Sequence, residues 1–160
     1  MEALSIGTAV PNFELPATSG LTFKLADFGD RYVVLYFYPK DNTPGCTQEG
    51  QAFRDSITDF TALNAVIVGV SRDSVRVHEG FKAKQCFPFE LLSDSEETLC
   101  NLFDVIKQKS MYGKQVRGIE RSTFLIGPNA VLLAEWRKVK VKGHSEEVLK
   151  ALSEHAGQAA

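Results

Sequence analysis

The run Tyr32-Val33-Val34-Leu35-Tyr36-Phe37-Tyr38 is apolar over seven consecutive residues and rich in β-branched and aromatic side chains. That is the pattern of a strand buried on both faces. Pro39-Lys40-Asp41-Asn42-Thr43-Pro44-Gly45-Cys46-Thr47-Gln48-Glu49 follows, and then a helical spacing that puts Phe53, Ile57 and Phe60 on one face. A second apolar stretch, Ala65 to Val70, predicts another buried strand. Strand, helix to about Leu63 and strand make a βαβ unit, with parallel strands and a right-handed crossover. Within it Thr43 reads as N-cap, Pro44 as the first helical residue, where its missing N–H costs nothing, and Cys46 as the third.

Upstream, Asn12 to Leu15, a Ser19-Gly20 turn and Leu21 to Leu25 predict a small hairpin. Downstream, a helix is expected from about Ser74 to Lys84, ending ahead of Pro88, because the residue before proline disfavours helical geometry. Phe89 to Leu92 suits a short strand. Asp94 with Glu97 resembles a capping box for a helix carrying Leu99, Leu102, Phe103 and Ile106. Lys107 to Glu120 has little periodicity and reads as loop. Arg121 to Ile126 and Val131 to Trp136 read as a hairpin around Gly127-Pro128-Asn129-Ala130. Ser145, Glu146 and Glu147 open a last helix with Val148, Leu149 and Leu152 inward and a tail frayed from Ala156. This element order predicts an α/β, thioredoxin-like fold: a central mixed sheet, flanking helices and an N-terminal β-hairpin extension.

The 160 residues read as one domain with room for a real core, and a composition of 44% hydrophobic and 24% charged residues is that of a globular protein. A formal charge of -2 gives no argument for nucleic acid or a membrane surface. Met1 to Gly7 lacks the basic and apolar regions of a signal peptide, and the longest apolar run is far below a membrane span. Three cysteines without dense spacing argue against a secreted disulfide scaffold and for a reducing, cytoplasmic setting.

Cys46 carries the chemistry. In the first turn of a helix it lies near unpaired backbone N–H groups and the positive end of the dipole, which stabilise negative charge on sulfur. In open α/β sheets ligands bind beyond the carboxyl ends of the parallel strands, and Pro39 to Cys46 is such an end. If the strand after Arg121 runs antiparallel to Tyr32–Tyr38, that guanidinium faces Cys46 across 75 positions of sequence. On one reading a thiolate there attacks a peroxide oxygen and becomes a sulfenic acid, although spacing alone does not name the substrate. Thr43, the Gly45 and Cys46 N–H groups and Arg121 form the donor set for the breaking O–O bond, Glu49 orients Arg121, and Pro39 and Pro44 shield the sulfur. The alternative is a cysteine that is simply a small buried hydrophobe.

Pro39-x-x-x-Thr43-x-x-Cys46 with Glu49, and Arg121 in Gly118-Ile119-Glu120-Arg121-Ser122-Thr123-Phe124, resembles the peroxiredoxin signature. Tyr36 to Asp41, Gly69 to Ser74 and Phe89 to Asp94 are similar to the PrxQ subfamily, also called bacterioferritin comigratory protein. The resemblance runs from about Gly7 to Leu152. It implies a thiol peroxidase acting on hydrogen peroxide and organic hydroperoxides, often monomeric, with no metal, haem or flavin. It also implies recycling by thioredoxin or a glutaredoxin-like reductant. Cys46 matches the peroxidatic cysteine, Thr43 and Arg121 its activating partners, Pro39 the motif proline and Glu49 the position that holds the arginine.

The resolving thiol departs from the pattern. The position five residues after Cys46 holds Gln51, and the helical position used by other members holds Lys82, in Phe81-Lys82-Ala83-Lys84-Gln85-Cys86. Cys86 is one helical turn further and becomes the candidate resolving cysteine. Cys100, between Leu99 and Leu102, reads as a packed residue; a partner thiol is the remaining route. If Cys86 resolves, the first turn of the Cys46 helix is expected to unwind, since a disulfide needs Cα atoms about 4.4–6.8 Å apart. A thiol–disulfide oxidoreductase is disfavoured by the lack of Cys-x-x-Cys, whereas a redox sensor would use the same Cys46.

His78, His144 and His155 lack ligand spacing, and His144 reads as part of a helix start. Arg137 to Lys142, basic with alternating valines, reads as a solvated edge or a docking surface for an acidic protein. Trp136 and the 11 phenylalanines, Phe81, Phe87 and Phe89 among them, read as core.

Overall fold

The computed structural model describes residues 4–158. At its centre is strand β3 (Tyr32–Phe37), buried at every position. Its side chains alternate between two cores. Val33, Leu35 and Phe37 enter one, and Tyr32, Val34, Tyr36 and Tyr38 enter the other. Burial on both faces explains the unbroken apolar run. On one side β3 pairs in parallel with β4 (Ala65–Ser71), which pairs in parallel with β5 (Glu90–Ser93). On the other it pairs antiparallel with β8 (Ser122–Ile126), beside β9 (Leu132–Trp136), giving the order β5-β4-β3-β8-β9. Phe37 lies opposite Ser122, so Arg121 stands at the same sheet end as the loop leading to Cys46.

Helices α1 (Pro44–Asp55), α3 (Val75–Gln85) and α5 (His144–Gln158) supply Phe53, Phe81, Val148 and Leu152 to the core that holds Tyr36. The hairpin of β1 (Glu14–Pro16) and β2 (Thr22–Lys24) and the short α4 (Thr98–Leu102) cover the opposite face with Phe23, Leu99 and Phe103. Gly69 pairs with Tyr36, and a Cβ there would come within 2.8 Å of its hydroxyl, so only glycine lets the tyrosine ring cross β4. Phe81, Phe87 and Phe89 are buried core, with Phe87 and Phe89 stacked at 5.0 Å. No helix of the described residues is long and apolar enough to cross a membrane.

Five expectations change. The helix expected to carry Leu99, Leu102, Phe103 and Ile106 ends at Leu102, and Ile106 begins the next strand. The helix from Pro44 breaks at Ser56, whose N–H takes the Phe53 carbonyl three residues back, and resumes as α2 (Ile57–Ala62). Phe53 and Phe60 still meet, with ring centroids 5.9 Å apart. Lys107 to Glu120 is not a loop but a hairpin, β6 (Ile106–Met111) with β7 (Lys114–Ile119). Most of β7 is exposed, so no buried face imposes an apolar alternation. The capping box is replaced by a split arrangement. Asp94 accepts from the Leu99 and Cys100 N–H groups, while Glu97, left-handed at φ 64°, binds Arg72 and Arg117 and so ties β7 to the body. Finally, α5 continues through Gln158, so Ala156 to Gln158 are helical; Ala159 and Ala160 lie outside the described residues.

Candidate active site

Beyond β3 the chain turns through residues 39–43 and enters α1 with Thr43 extended (φ −89°, ψ 154°) and Pro44 in the first turn. Thr43 occupies the N-cap position, yet its side chain does not cap the helix. Its hydroxyl donates to the Lys40 carbonyl at 2.7 Å. The proton is therefore committed, and Oγ1 faces any further partner as an acceptor. This corrects the expectation of Thr43 as a donor. The N–H groups of Gly45 and Cys46 precede the first intrahelical bond, from Thr47 N–H to the Thr43 carbonyl, and stay available.

Cys46 is buried, at 2% exposure. Arg121 reaches it from the start of β8, with Nη2 3.4 Å from Sγ and Nη1 2.7 Å from Glu49 Oε1. One guanidinium thus spans both partners, three residues apart on one helix face. Gly45 permits this approach, since a Cβ there would lie 3.1 Å from Arg121 Nη2. Burial disfavours the Arg121 charge, but Glu49 and Cys46 outweigh it and raise its pKa above the ordinary arginine value. Glu49 is 1% exposed, and its Oε2 has no hydrogen-bond partner. Burial pushes its carboxyl up to about 7 against the downward pull of Arg121. Behind them, burial and then the Glu49 and Cys46 charges raise Tyr36 well above a free tyrosine. His144 is held down to about 4, by burial and then by Arg121, with its Nε2 2.8 Å from Thr123 Oγ1.

An open cleft of about 490 Å³ adjoins this triad, lined by Pro39, Gln108, Lys109, Glu120, Arg121, Lys138 and Val139. Pro39 is half-buried in its wall, while Pro44 is exposed. The basic segment 137–142 is neither a strand nor remote from the site, because Val139 N–H donates to the Arg121 carbonyl at 3.0 Å. The β6–β7 hairpin supplies the facing wall. Neither contribution was readable from local sequence.

Comparison with known proteins is unambiguous. Residues 6–134 match the model of the AhpC/TSA family. The chain belongs to that family. It is 51% identical over 155 residues to peroxiredoxin Bcp of Xanthomonas campestris, covering 97% of both chains, and 52% identical over 151 residues to peroxiredoxin Bcp of Bacillus subtilis, covering 94% of this chain and 96% of that one. Among solved structures, PrxQ of Xylella fastidiosa superposes with a TM-score of 0.92 at 49% identity, over 98% of this chain and 99% of that one. A structure of the X. campestris bacterioferritin comigratory protein, described for its alkyl peroxide reduction activity, superposes with a TM-score of 0.86 at 52% identity, over 90% and 92%.

In this peroxiredoxin the three thiols are free and differ sharply in setting. Cys100 is fully buried in α4, and burial, followed by Asp94, raises its pKa far above that of a free thiol. Cys86 is exposed and left-handed (φ 56°) as the C-cap of α3. The two halves of α1 also differ. Beyond Cys46 it is fastened to α3, with Gln51 bonded to the Gln85 side chain at 2.9 Å and Arg54 to the Gln85 carbonyl at 2.8 Å. The Phe87 ring covers Gly50, where a Cβ would sit 2.3 Å from Cζ. Gly50→Ala is therefore expected to lower stability by about 1–3 kcal/mol through overpacking, read as a drop in thermal midpoint. An unchanged midpoint would mean that Phe87 yields freely.

Asp41, Asp73 and His78, which sequence spacing did not connect, place their ligand-type atoms within 4.8 Å of one another. Those atoms are already hydrogen-bonded. His78 Nδ1 lies 2.6 Å from Asp41 Oδ2, His78 Nε2 lies 2.9 Å from the Leu92 carbonyl, and Asp73 Oδ2 accepts from Ser71 Oγ and Asp41 N–H. The group forms an internal polar network.

Proposed function

We propose that this peroxiredoxin reduces hydrogen peroxide and alkyl hydroperoxides with Cys46 as nucleophile, and that the observation carrying the reading is the guanidinium of Arg121 shared between Cys46 Sγ and Glu49. The thiolate attacks the terminal oxygen of ROOH. The O–O bond breaks, Cys46 becomes a sulfenic acid, and the alkoxide takes a proton from water to leave as ROH. Arg121 and the Gly45 and Cys46 N–H groups meet the charge that develops along the oxygens, while Thr43 Oγ1 accepts the peroxide O–H. Glu49 holds Arg121 and Pro39 walls the cleft. Alkyl hydroperoxides as substrates are supported by the X. campestris relative, described for its alkyl peroxide reduction activity.

In the same reading Cys86 resolves the sulfenic acid, forming an intramolecular disulfide and releasing water, and thioredoxin restores both thiols by dithiol–disulfide exchange. Its support is exposure at a helix end beside Phe87, which packs one turn along α1 from Cys46. Disulfide formation requires the first turn of α1 to open. The chain works as a monomer in a reducing cytoplasm.

The test is NADPH consumption with thioredoxin, thioredoxin reductase and hydroperoxide, together with disulfide mapping by mass spectrometry. Multiple turnovers are expected, with a Cys46–Cys86 bond after peroxide treatment. Cys86→Ser is expected to react with one equivalent of peroxide at the wild-type rate and then stall as sulfenic acid. A Cys46–Cys100 bond, or undiminished turnover without Cys86, would overturn its role. A single oxidised equivalent without turnover in wild type would favour a sensor.

A further inference from the structure

Three of the stretches that carry the PrxQ resemblance, far apart in sequence, converge beneath the active-site turn. Tyr38 and Asp41 come from the first, Ser71 and Asp73 from the second, and Leu92 and Ser93 from the third. At their meeting point is the peptide group joining Lys40 to Asp41. Its N–H donates to Asp73 Oδ2 at 2.9 Å, and its carbonyl receives the Thr43 hydroxyl at 2.7 Å. Asp73 itself is fixed from three directions. Ser71 Oγ donates to Oδ2 at 2.6 Å, the Asp73 N–H reaches Ser71 Oγ at 3.1 Å, and Ser93 Oγ donates to the Asp73 carbonyl at 2.7 Å. Asp41 is anchored independently by the Tyr38 hydroxyl at 2.5 Å and by buried His78.

The chemistry of that peptide follows from these contacts. A carboxylate accepting the N–H polarises the amide, and hydrogen bonds in a chain reinforce one another, so the Lys40 carbonyl becomes the stronger acceptor. It therefore commits the single Thr43 proton and leaves lone pairs on Oγ1. A lone pair beside a thiolate is an unsuitable partner for the sulfur but a good one for a hydroperoxide O–H. During attack the terminal oxygen keeps that hydrogen as it bonds to sulfur, so its direction selects which oxygen meets Cys46.

We propose that Asp73 is a positioning residue for peroxide reduction: by holding the 40–41 peptide it sets the rotor of Thr43 and turns Oγ1 into the acceptor that orients ROOH. The inference rests on the peroxidase reading above.

A double-mutant cycle tests it, using Asp73→Ala, Thr43→Val and the combined variant. Two rates of Cys46 are measured, one with hydrogen peroxide and one with iodoacetamide, which has no O–O bond to orient. Asp73→Ala is expected to slow the peroxide reaction roughly 10- to 100-fold, as misplacement of a reacting group does. Alkylation should stay within about twofold, and in the Thr43→Val background Asp73→Ala should cost no more than about twofold further. Asp73→Asn, which keeps an acceptor oxygen, is expected to recover part of the peroxide rate.

Additive losses, a parallel fall in alkylation, or an asparagine variant no faster than alanine would each overturn the role. Should the alanine protein not fold, Asp73→Ser enters the same cycle with the same criteria. Wild-type protein that consumes no peroxide would defeat the peroxidase reading itself; a working wild type with an additive cycle defeats only the role of Asp73.

Discussion

Cys46→Ser is expected to cut peroxide consumption by at least about 10³-fold, the scale on which loss of a nucleophile removes a reaction. Serine is nearly isosteric and the site is 2% exposed, so the fold should survive. What disappears is an ionisable, polarisable atom that forms a bond to oxygen, since an alkoxide is not available at neutral pH. The measurement is peroxide consumption paired with intact mass. Cys86→Ser protein should gain one oxygen, trapped as sulfenic acid, and a protein also lacking Cys46 should gain none. Residual turnover within tenfold of wild type would remove Cys46 from the mechanism.

The second large effect belongs to Arg121→Gln, and it has two separable parts. The rate with peroxide should fall by about 10²–10³-fold, because a guanidinium facing the sulfur and the developing oxygen charge is lost. Stability should fall as well, since Glu49 then loses its partner at 1% exposure, and a buried charge left unpaired costs about 3–5 kcal/mol.

That cost depends on pH. The Glu49 carboxyl is already raised to about 7 from its ordinary 4.5, so the folded chain binds its proton more tightly than the unfolded one. The associated stability is complete below the unfolded value and is lost as pH rises through the folded one. Arg121 pulls the carboxyl down, and its removal lifts the folded value further. The deficit of Arg121→Gln should therefore be small near about pH 5 and grow toward about pH 8. Adding Glu49→Gln should restore stability without restoring rate. A deficit independent of pH, or one that Glu49→Gln leaves intact, would show that Glu49 is not the group left behind.

The sheet and the reactive turn were legible in sequence for a physical reason. β3 is buried on both faces, so its apolar run is continuous, and Thr43-Pro44-Gly45-Cys46 carries the local chemistry of a helix start. Arg121 followed from topology, since β8 antiparallel to β3 brings the residue just before it to the same end. The β6–β7 hairpin escaped because β7 has little buried face to mark its pleat. The Asp41–His78 pair escaped because its members are 37 residues apart and each looks ordinary alone. Thr43 stands at the N-cap position, but the partner of its hydroxyl, the Lys40 carbonyl, lies in a turn whose contact with Asp73 no local pattern announces.

The fastening of α1 to α3 sets a tether length. With Gly50 under Phe87, and with Gln51 and Arg54 bonded to Gln85, the opening proposed for the uncapped end would stop about one turn past Cys46. Four residues of freed chain span at most about 13–14 Å, so the sulfur sweeps a short arc centred on Gly50, not an open volume. Phe87 marks that centre, and Cys86 is its neighbour in the chain. In the proposed cycle, the same contact that makes Gly50 intolerant of a methyl group would confine an oxidised Cys46 to the vicinity of Cys86. It would also give re-formation of the helix a fixed seed from which to rewind after reduction.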